Sequence, residues 1–249
     1  VVREVEHSAG VRAVAFNHDG SLVATGSMDK KLRFVEAASG AAVRQVEHGD
    51  WVFAVMFNHD GSLAATGSLK EGSRVAGQLR LVSPASGAVV REVEHDAGVR
   101  AVAFNHDGSL VATGSEDNKL RIVAAASGAV VREVMHGDFV LAVAFNHDGS
   151  LVATGCRDHN LRLVTTELWQ YYKVGHGGGV LAVAFNHDGS LVATGSHDKK
   201  LRLVAAATGA VVREVGHGDS VPAVAFNHDG SLVATGSADK KLRIVAAAS

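Results

Sequence analysis

HGDSVPAVAFNHDGSLVATGSADKKL, running from His217 to Leu242, decides the reading of this chain. Its centre, Asn-His-Asp-Gly, occurs six times, beginning at Asn17, Asn58, Asn105, Asn146, Asn186 and Asn227. The intervals are 41, 47, 41, 40 and 41 residues. A period near 40 that fills all 249 residues outranks any local motif as evidence about architecture. What six such units build, and where they stop being alike, then carries the functional question.

Each unit reads as four short strands. In the first, Val11 to Phe16 is apolar and partly alternating, and Asn17 to Gly20 is a turn of residues that tolerate tight or left-handed backbone. Ser21 to Ser27 is a second run and Met28-Asp29-Lys30 a polar connection; Leu32 to Val35 is a third run, Ser39-Gly40 a turn, and Ala42 to Val46 a fourth run. Strands of this length with a turn every eight to twelve residues predict an all-β fold. No window carries apolar residues at helical spacing.

The pattern of His, about nine residues, then Phe-Asn-His-Asp-Gly, Leu-Val-Ala-Thr-Gly-Ser-x-Asp and Leu-Arg-x-Val resembles WD40 repeats over essentially the whole chain. The resemblance implies a single domain, residues 1–249, folded as a six-bladed β-propeller with four antiparallel strands per blade. One departure is uniform. The family's third-strand tryptophan is valine in every copy, at Val35, Val82, Val123, Val164, Val204 and Val245, and the aspartate after it is also gone. Valine still packs as a strand residue, so the fold is expected to survive.

The resemblance also implies a hydrogen-bonded set of His, Thr and Asp in each blade. The matching residues are His7, Thr25 and Asp29; His95, Thr113 and Asp117; His136, Thr154 and Asp158; His176, Thr194 and Asp198; and His217, Thr235 and Asp239. The second blade keeps His48 and Thr66 but has Lys70 in the Asp slot. A His–Asp contact is expected to hold the loop before the first strand against the turn after the second. Residues 1 to 5 match a fourth strand and the chain stops after a third, so the N-terminal strand is expected to join the last blade and close the ring.

With 24 basic and 26 acidic residues, no net charge draws the chain towards nucleic acid or anionic membrane. No apolar run approaches the roughly 20 residues of a membrane span. The chain opens at Val1 rather than Met, so it is expected to be a processed product, an excised domain or an incomplete sequence. Ser, His and Asp recur in every unit, whereas a catalytic triad needs one unique constellation, so no enzyme activity, catalytic residue, cofactor or metal is expected. Cys156 fills a slot that is Ser elsewhere, and the glycines from Gly175 to Gly179 lack the Lys-Ser/Thr of a phosphate loop. The turn histidines His18, His59, His106, His147, His187 and His228 are expected to splay into solvent rather than bind an ion.

The copies differ from one another at three places: just before the first strand, two residues into it, and just before the Asp of the set. The first holds Gly10, Trp51, Gly98, Phe139, Gly179 and Ser220; the second Arg12, Phe53, Arg100, Leu141, Leu181 and Pro222; the third Met28, Leu69, Glu116, Arg157, His197 and Ala238. The resemblance implies that all three crowd around the channel mouth, where such propellers bind proteins and peptides. The expected contact surface is Arg12, Trp51, Phe53, Arg100, Glu116, Phe139, Leu141, Arg157, Leu181 and His197. Drift at exposed sites is the competing reading, but it would seldom place Trp51, Phe53, Phe139 and Leu141 together.

Two segments are irregular: six extra residues between Ser68 and Leu79, and a fourth strand in unit four rewritten around Trp169, Tyr171 and Tyr172. Those aromatics read equally as local repacking or as a docking patch on the rim. The expected function is a non-catalytic protein-interaction scaffold, as a subunit of an assembly or a domain of a larger protein. Two other readings stand beside it: a propeller serving a catalytic domain on another segment, and an engineered repeat protein, which the irregular second and fourth units argue against.

Overall fold

A computed structural model describes residues 3–69, 76–167 and 170–247. Lys70, most of the insertion in repeat two, and Trp169 lie outside the described residues. Among the described residues every regular element is a strand and there is no helix. The chain divides into two compact units, Val1–Val134 and Met135–Ser249. The first unit holds repeats one to three, each a four-stranded antiparallel sheet in sequence order. The second holds two such sheets and a last one of three strands, Ala223–Phe226, Leu232–Gly236 and Leu242–Ala246.

Repeat one shows how the sequence builds the sheet. Its strands are Val11–Phe16, Leu22–Ser27, Lys31–Glu36 and Ala42–Glu47. The second and third strands are central, so both their faces are covered and they read as near-continuous buried runs. The fourth strand lies at the edge and is largely exposed, which is where the Arg, Gln and Glu fall. The core lies between successive sheets of a unit. Leu32 and Phe34 of repeat one pack with Val52, Val55 and Phe57 of repeat two, for example. In repeats one to five the two large third-strand residues, such as Leu161 and Leu163, are fully buried. The valines that replace the third-strand tryptophan are all buried too.

A glycine in the second strand sets how close the sheets come. At Gly67 a Cβ would stand 2.9 Å from the Val99 carbonyl oxygen and 2.8 Å from its side chain, so only a residue without one admits the next repeat at this distance.

Pairing of the first and second strands slips by one residue in repeats one to five. In repeat one Val11 pairs with Ser27 but Ala13 with Gly26, leaving Arg12 as the extra residue of a β-bulge. The bulged residue is Phe53 in repeat two, Arg100 in three, Leu141 in four and Leu181 in five. Repeat six has Pro222 at this position. With no N–H to give a ladder it stays outside the strand, which begins at Ala223.

Of the expected N-terminal strand, residues 1–2 lie outside the described residues. Residues 3–7 have no strand pairing, and the last sheet has no fourth strand among the described residues. The segment lies against repeat one, as the fourth strands of repeats one, two and five lie against the repeats after them. Arg3 Nε donates to the Ala38 carbonyl at 3.1 Å, as Arg44 Nε does to Ala85 at 3.3 Å and Arg213 to Ala246 at 2.9 Å.

Candidate interaction site

The frame of the site is the polar set in each repeat. In all six repeats the His Nε2 lies 2.8–2.9 Å from the Thr Oγ1, as in His7–Thr25, His48–Thr66, His136–Thr154 and His217–Thr235. In His7, His48, His95, His176 and His217 the Nδ1 faces the carbonyl two residues back at 3.1–3.3 Å. A carbonyl can only accept, so Nδ1 carries a proton. Burial, reinforced by the neighbouring Arg80 and Arg121 charges, pushes His48 and His95 down to about 4, and burial lowers His176 as well.

The aspartates do not complete the set as expected. Both His95 ring nitrogens are taken by Val93 and Thr113, and Asp117 pairs with Arg121 at 2.5 Å. Asp29–Arg33, Asp158–Arg162, Asp198–Arg202 and Asp239–Arg243 repeat this pair at 2.5–2.8 Å. The reason is local: the third strand brings a fixed cation four residues after each aspartate, and a carboxylate prefers a guanidinium to a neutral imidazole. The loop is still clamped, but through its backbone. Gly137, Gly177 and Gly218 N–H groups donate to Asp158, Asp198 and Asp239 at 2.8–3.0 Å. In repeat two Arg80 turns to Glu92 at 2.5 Å. The arginine of each pair is the one in the repeated Leu-Arg of the third strand.

On this frame the three variable positions of each repeat converge. The backbone N–H of the third donates to the carbonyl of the first in Met28–Gly10, Glu116–Gly98, Arg157–Phe139, His197–Gly179 and Ala238–Ser220, at 2.9–3.0 Å. In repeat two Trp51 pairs with Leu69 in the ladder. The second variable position is the bulged residue itself, so the side chains that differ most are those the backbone re-aims.

In the first unit the bulged residues of successive repeats form a row. The Phe53 ring has the Arg100 guanidinium 4.5 Å and the Arg12 guanidinium 5.8 Å from its centroid. Trp51 stands 6.1 Å from Phe53, tilted by 52°. Arg100 is bound to the half-buried Glu116 at 2.5 Å, so its charge is locally balanced. Arg12 is exposed and its Nε donates to the Met28 sulfur at 3.0 Å. In this unit the expected contact surface is an aromatic pair flanked by two cations.

In the second unit Phe139 lies under the Arg157 guanidinium at 5.0 Å, and Arg157 reaches Asp138 at 3.4 Å. Leu141 and Leu181 are half-buried and His197 is exposed. On the outer strand of repeat four Tyr171 and Tyr172 are both about half exposed, with the Arg162 guanidinium 5.9 Å from the Tyr171 ring. Cys156 is buried, and its Sγ donates to the Asp138 carbonyl at 3.1 Å, as Ser196 Oγ does to Gly178 at 3.0 Å. Burial pushes the thiol up to about 11, which removes the thiolate a nucleophile needs.

The turn histidines do not splay. In the first unit His18 and His59 stand 4.1 Å apart by ring centroid and His59 and His106 4.5 Å. In the second, both neighbouring pairs stand at 5.1 Å.

The profile of the family described as WD domain, G-beta repeat, matches residues 2–35, 87–123, 129–164, 169–204 and 209–245. No curated protein matches the sequence.

Proposed function

The chain belongs to the WD40 family of WD-domain, G-beta repeats, and on that premise we propose that it is a non-catalytic protein-interaction scaffold. WD40 repeats generally mediate contacts between proteins. The observation that carries the reading here is the coincidence of internal variation with the β-bulge. Five repeats keep Val, Ala-Val and Phe around that position while the residue that the backbone turns out of the ladder changes between Arg, Phe and Leu; Met56 for Ala is the one other exchange in the run. Aromatic and Arg side chains dominate binding energy where they cluster. The row of Arg12, Phe53 and Arg100, with Trp51 beside it, suits a peptide or protein segment carrying both acidic and apolar groups. The scaffold acts within an assembly or as a domain of a larger protein.

The test is partner binding by the double variant Trp51→Ala, Phe53→Ala. Affinity is expected to fall at least tenfold, about 1.4 kcal/mol, with the melting temperature nearly unchanged. Binding that survives this change and is lost on changing Tyr171 and Tyr172 would move the site to the rim.

The repeats close, in this proposal, into a six-bladed propeller. Its support is the pair of raw surfaces left by the two units. Phe16 is 63% exposed where its counterpart Phe57 is buried, and Leu242 is 71% exposed where Leu201 is fully buried. Residues 1–5 pairing with Leu242–Ala246 would complete the last sheet and cover both. A chain lacking residues 1–6 is then expected to elute as oligomers through its open sheet edge. A monomeric truncated chain with an unaltered melting temperature would contradict closure.

A further inference from the structure

Repeat four departs from a contact that other repeats make with their neighbours. Midway along the fourth strand, Arg44, Arg91 and Arg213 stand opposite Phe34, Leu81 and Leu203 in repeats one, two and five. Arg44 Nε donates to the Ala85 carbonyl of repeat two at 3.3 Å, and Arg91 Nε to the Ala126 carbonyl of repeat three at 2.8 Å. Each bond fastens one sheet to a turn of the next. In repeat four the residue in this register, opposite Leu163, is Tyr172.

The turn that Tyr172 faces is of the ordinary kind. Ala207 stands two residues before Gly209, as Ala85 does before Gly87 and Ala126 before Gly128. A Cβ on Gly209 would stand 3.6 Å from the Tyr172 side chain, as one on Gly87 or Gly128 would stand 3.7 or 3.5 Å from that of Arg44 or Arg91. The position that presents a guanidinium to the next turn elsewhere presents a phenol ring here. Tyr172 and Ala207 line a groove of about 390 Å³ between repeats four and five, with Leu151 and Ala206 on its apolar side.

A second exchange falls in the same groove. Glu167 lines it too, at the position held by Ala38, Ala85, Ala126 and Ala207 in repeats one, two, three and five. Glu167 and Ala207 are exposed and Tyr172 is half exposed, so a ligand can reach all three. An aromatic face, a carboxylate and a carbonyl together suit a guanidinium. The planar cation stacks on the ring while its N–H fork donates to the oxygens. Two exchanges peculiar to repeat four thus build, at one place, a receptor for the group that repeat four itself no longer supplies.

We propose that this groove binds an arginine side chain presented by another protein, whose guanidinium takes the place that Arg44 and Arg91 fill from within the chain. Lysine is a poorer ligand, being a compact charge without the planar fork, and citrulline keeps the shape without the charge. The site lies on the outer strand and the third-to-fourth-strand turn, apart from the bulge row, and its ligand is distinct from the partner at that row.

The full chain, with its two tyrosines labelled with carbon-13, is titrated with the peptide acetyl-Gly-Arg-Gly-amide and followed by NMR, Tyr171→Phe assigning the two ring signals. The Tyr172 signal is expected to shift saturably with a Kd below about 1 mM. Peptides with lysine or citrulline in place of arginine are expected to bind at least about fivefold more weakly, and Glu167→Gln to weaken the arginine peptide as much. Trp51→Ala, Phe53→Ala should leave this binding unchanged, which separates the outcome from that at the bulge row. A reading without any ligand comes from Tyr172→Arg, which rebuilds the bond to the Ala207 carbonyl and is expected to raise the melting temperature by about 2–4 °C. No saturable shift of Tyr172, lysine bound as tightly as arginine, binding undiminished in Glu167→Gln, or an unraised melting temperature in Tyr172→Arg would each overturn the proposal.

Discussion

Asp158→Ala is expected to destabilise the chain by about 3–5 kcal/mol, the loss typical of a buried ion pair left with one partner. Arg162 is 5% exposed, and its ion pair with Asp158, at 2.5 Å, is the one that neutralises it among the described residues. Its Nε is buried without an acceptor among the described residues, so removing the carboxylate strands the whole guanidinium. The Gly137 N–H loses its acceptor as well. Asp117→Ala should cost distinctly less. Arg121 would retain Glu133 at 2.5 Å and Asp96 at 3.5 Å. Denaturant unfolding of the two variants measures the difference, and equal losses would mean that the arginine pairs are not what the aspartates serve.

Acidification should unfold the protein in a window set by its buried imidazoles. His48 and His95 are neutral in the fold and held at about 4, against 6.5 for a free imidazole. Below 6.5 the unfolded chain takes up protons that the folded chain refuses, so unfolding gains ground as pH falls, until the folded imidazoles also protonate near 4. Each site then removes roughly 3 kcal/mol across that window, and the lowered His176 adds to the loss. The arginine-paired aspartates act in a separate window. Asp29, Asp158 and Asp198 lie below the ordinary carboxylate value of 3.8, so their contribution is intact above it and fades as pH falls further. Stability measured from pH 7 to pH 4 is expected to drop steeply for the unaltered chain and less for His48→Gln, His95→Gln. A flat profile in the unaltered chain would contradict neutral burial of these rings.

Much of the fold was legible in the sequence because period and turn chemistry are local. Val11–Phe16 falls where the apolar run and the Asn-His-Asp-Gly turn place it, and the other three strands of repeat one lie within a residue of their expected ends. The partner of the N-terminal segment was not: residues 3–7 match a fourth strand in composition, but which sheet a strand joins is not encoded in the segment itself.

The site was half legible. Arg12, Phe53 and Arg100 stand out as unlike residues in an otherwise repeated strand, but the bulge that re-aims them is a slip in hydrogen-bond register that no alternation of side chains announces. The arginine partner of each aspartate had a signal in the fixed four-residue spacing, from Asp158 to Arg162 for instance, across a turn rather than along a helix. The stacking of turn histidines had none, since it depends on how one turn nests against the next.

Photo-cross-linking tests the central claim most directly. A photoreactive benzoylphenylalanine is placed at position 53 in one chain and at position 172 in another, and the products are resolved after irradiation in the presence of the binding partner. Cross-linking from position 53, with little or none from position 172, is the expected result. Cross-linking confined to position 172 would contradict the bulge row as the site of interaction.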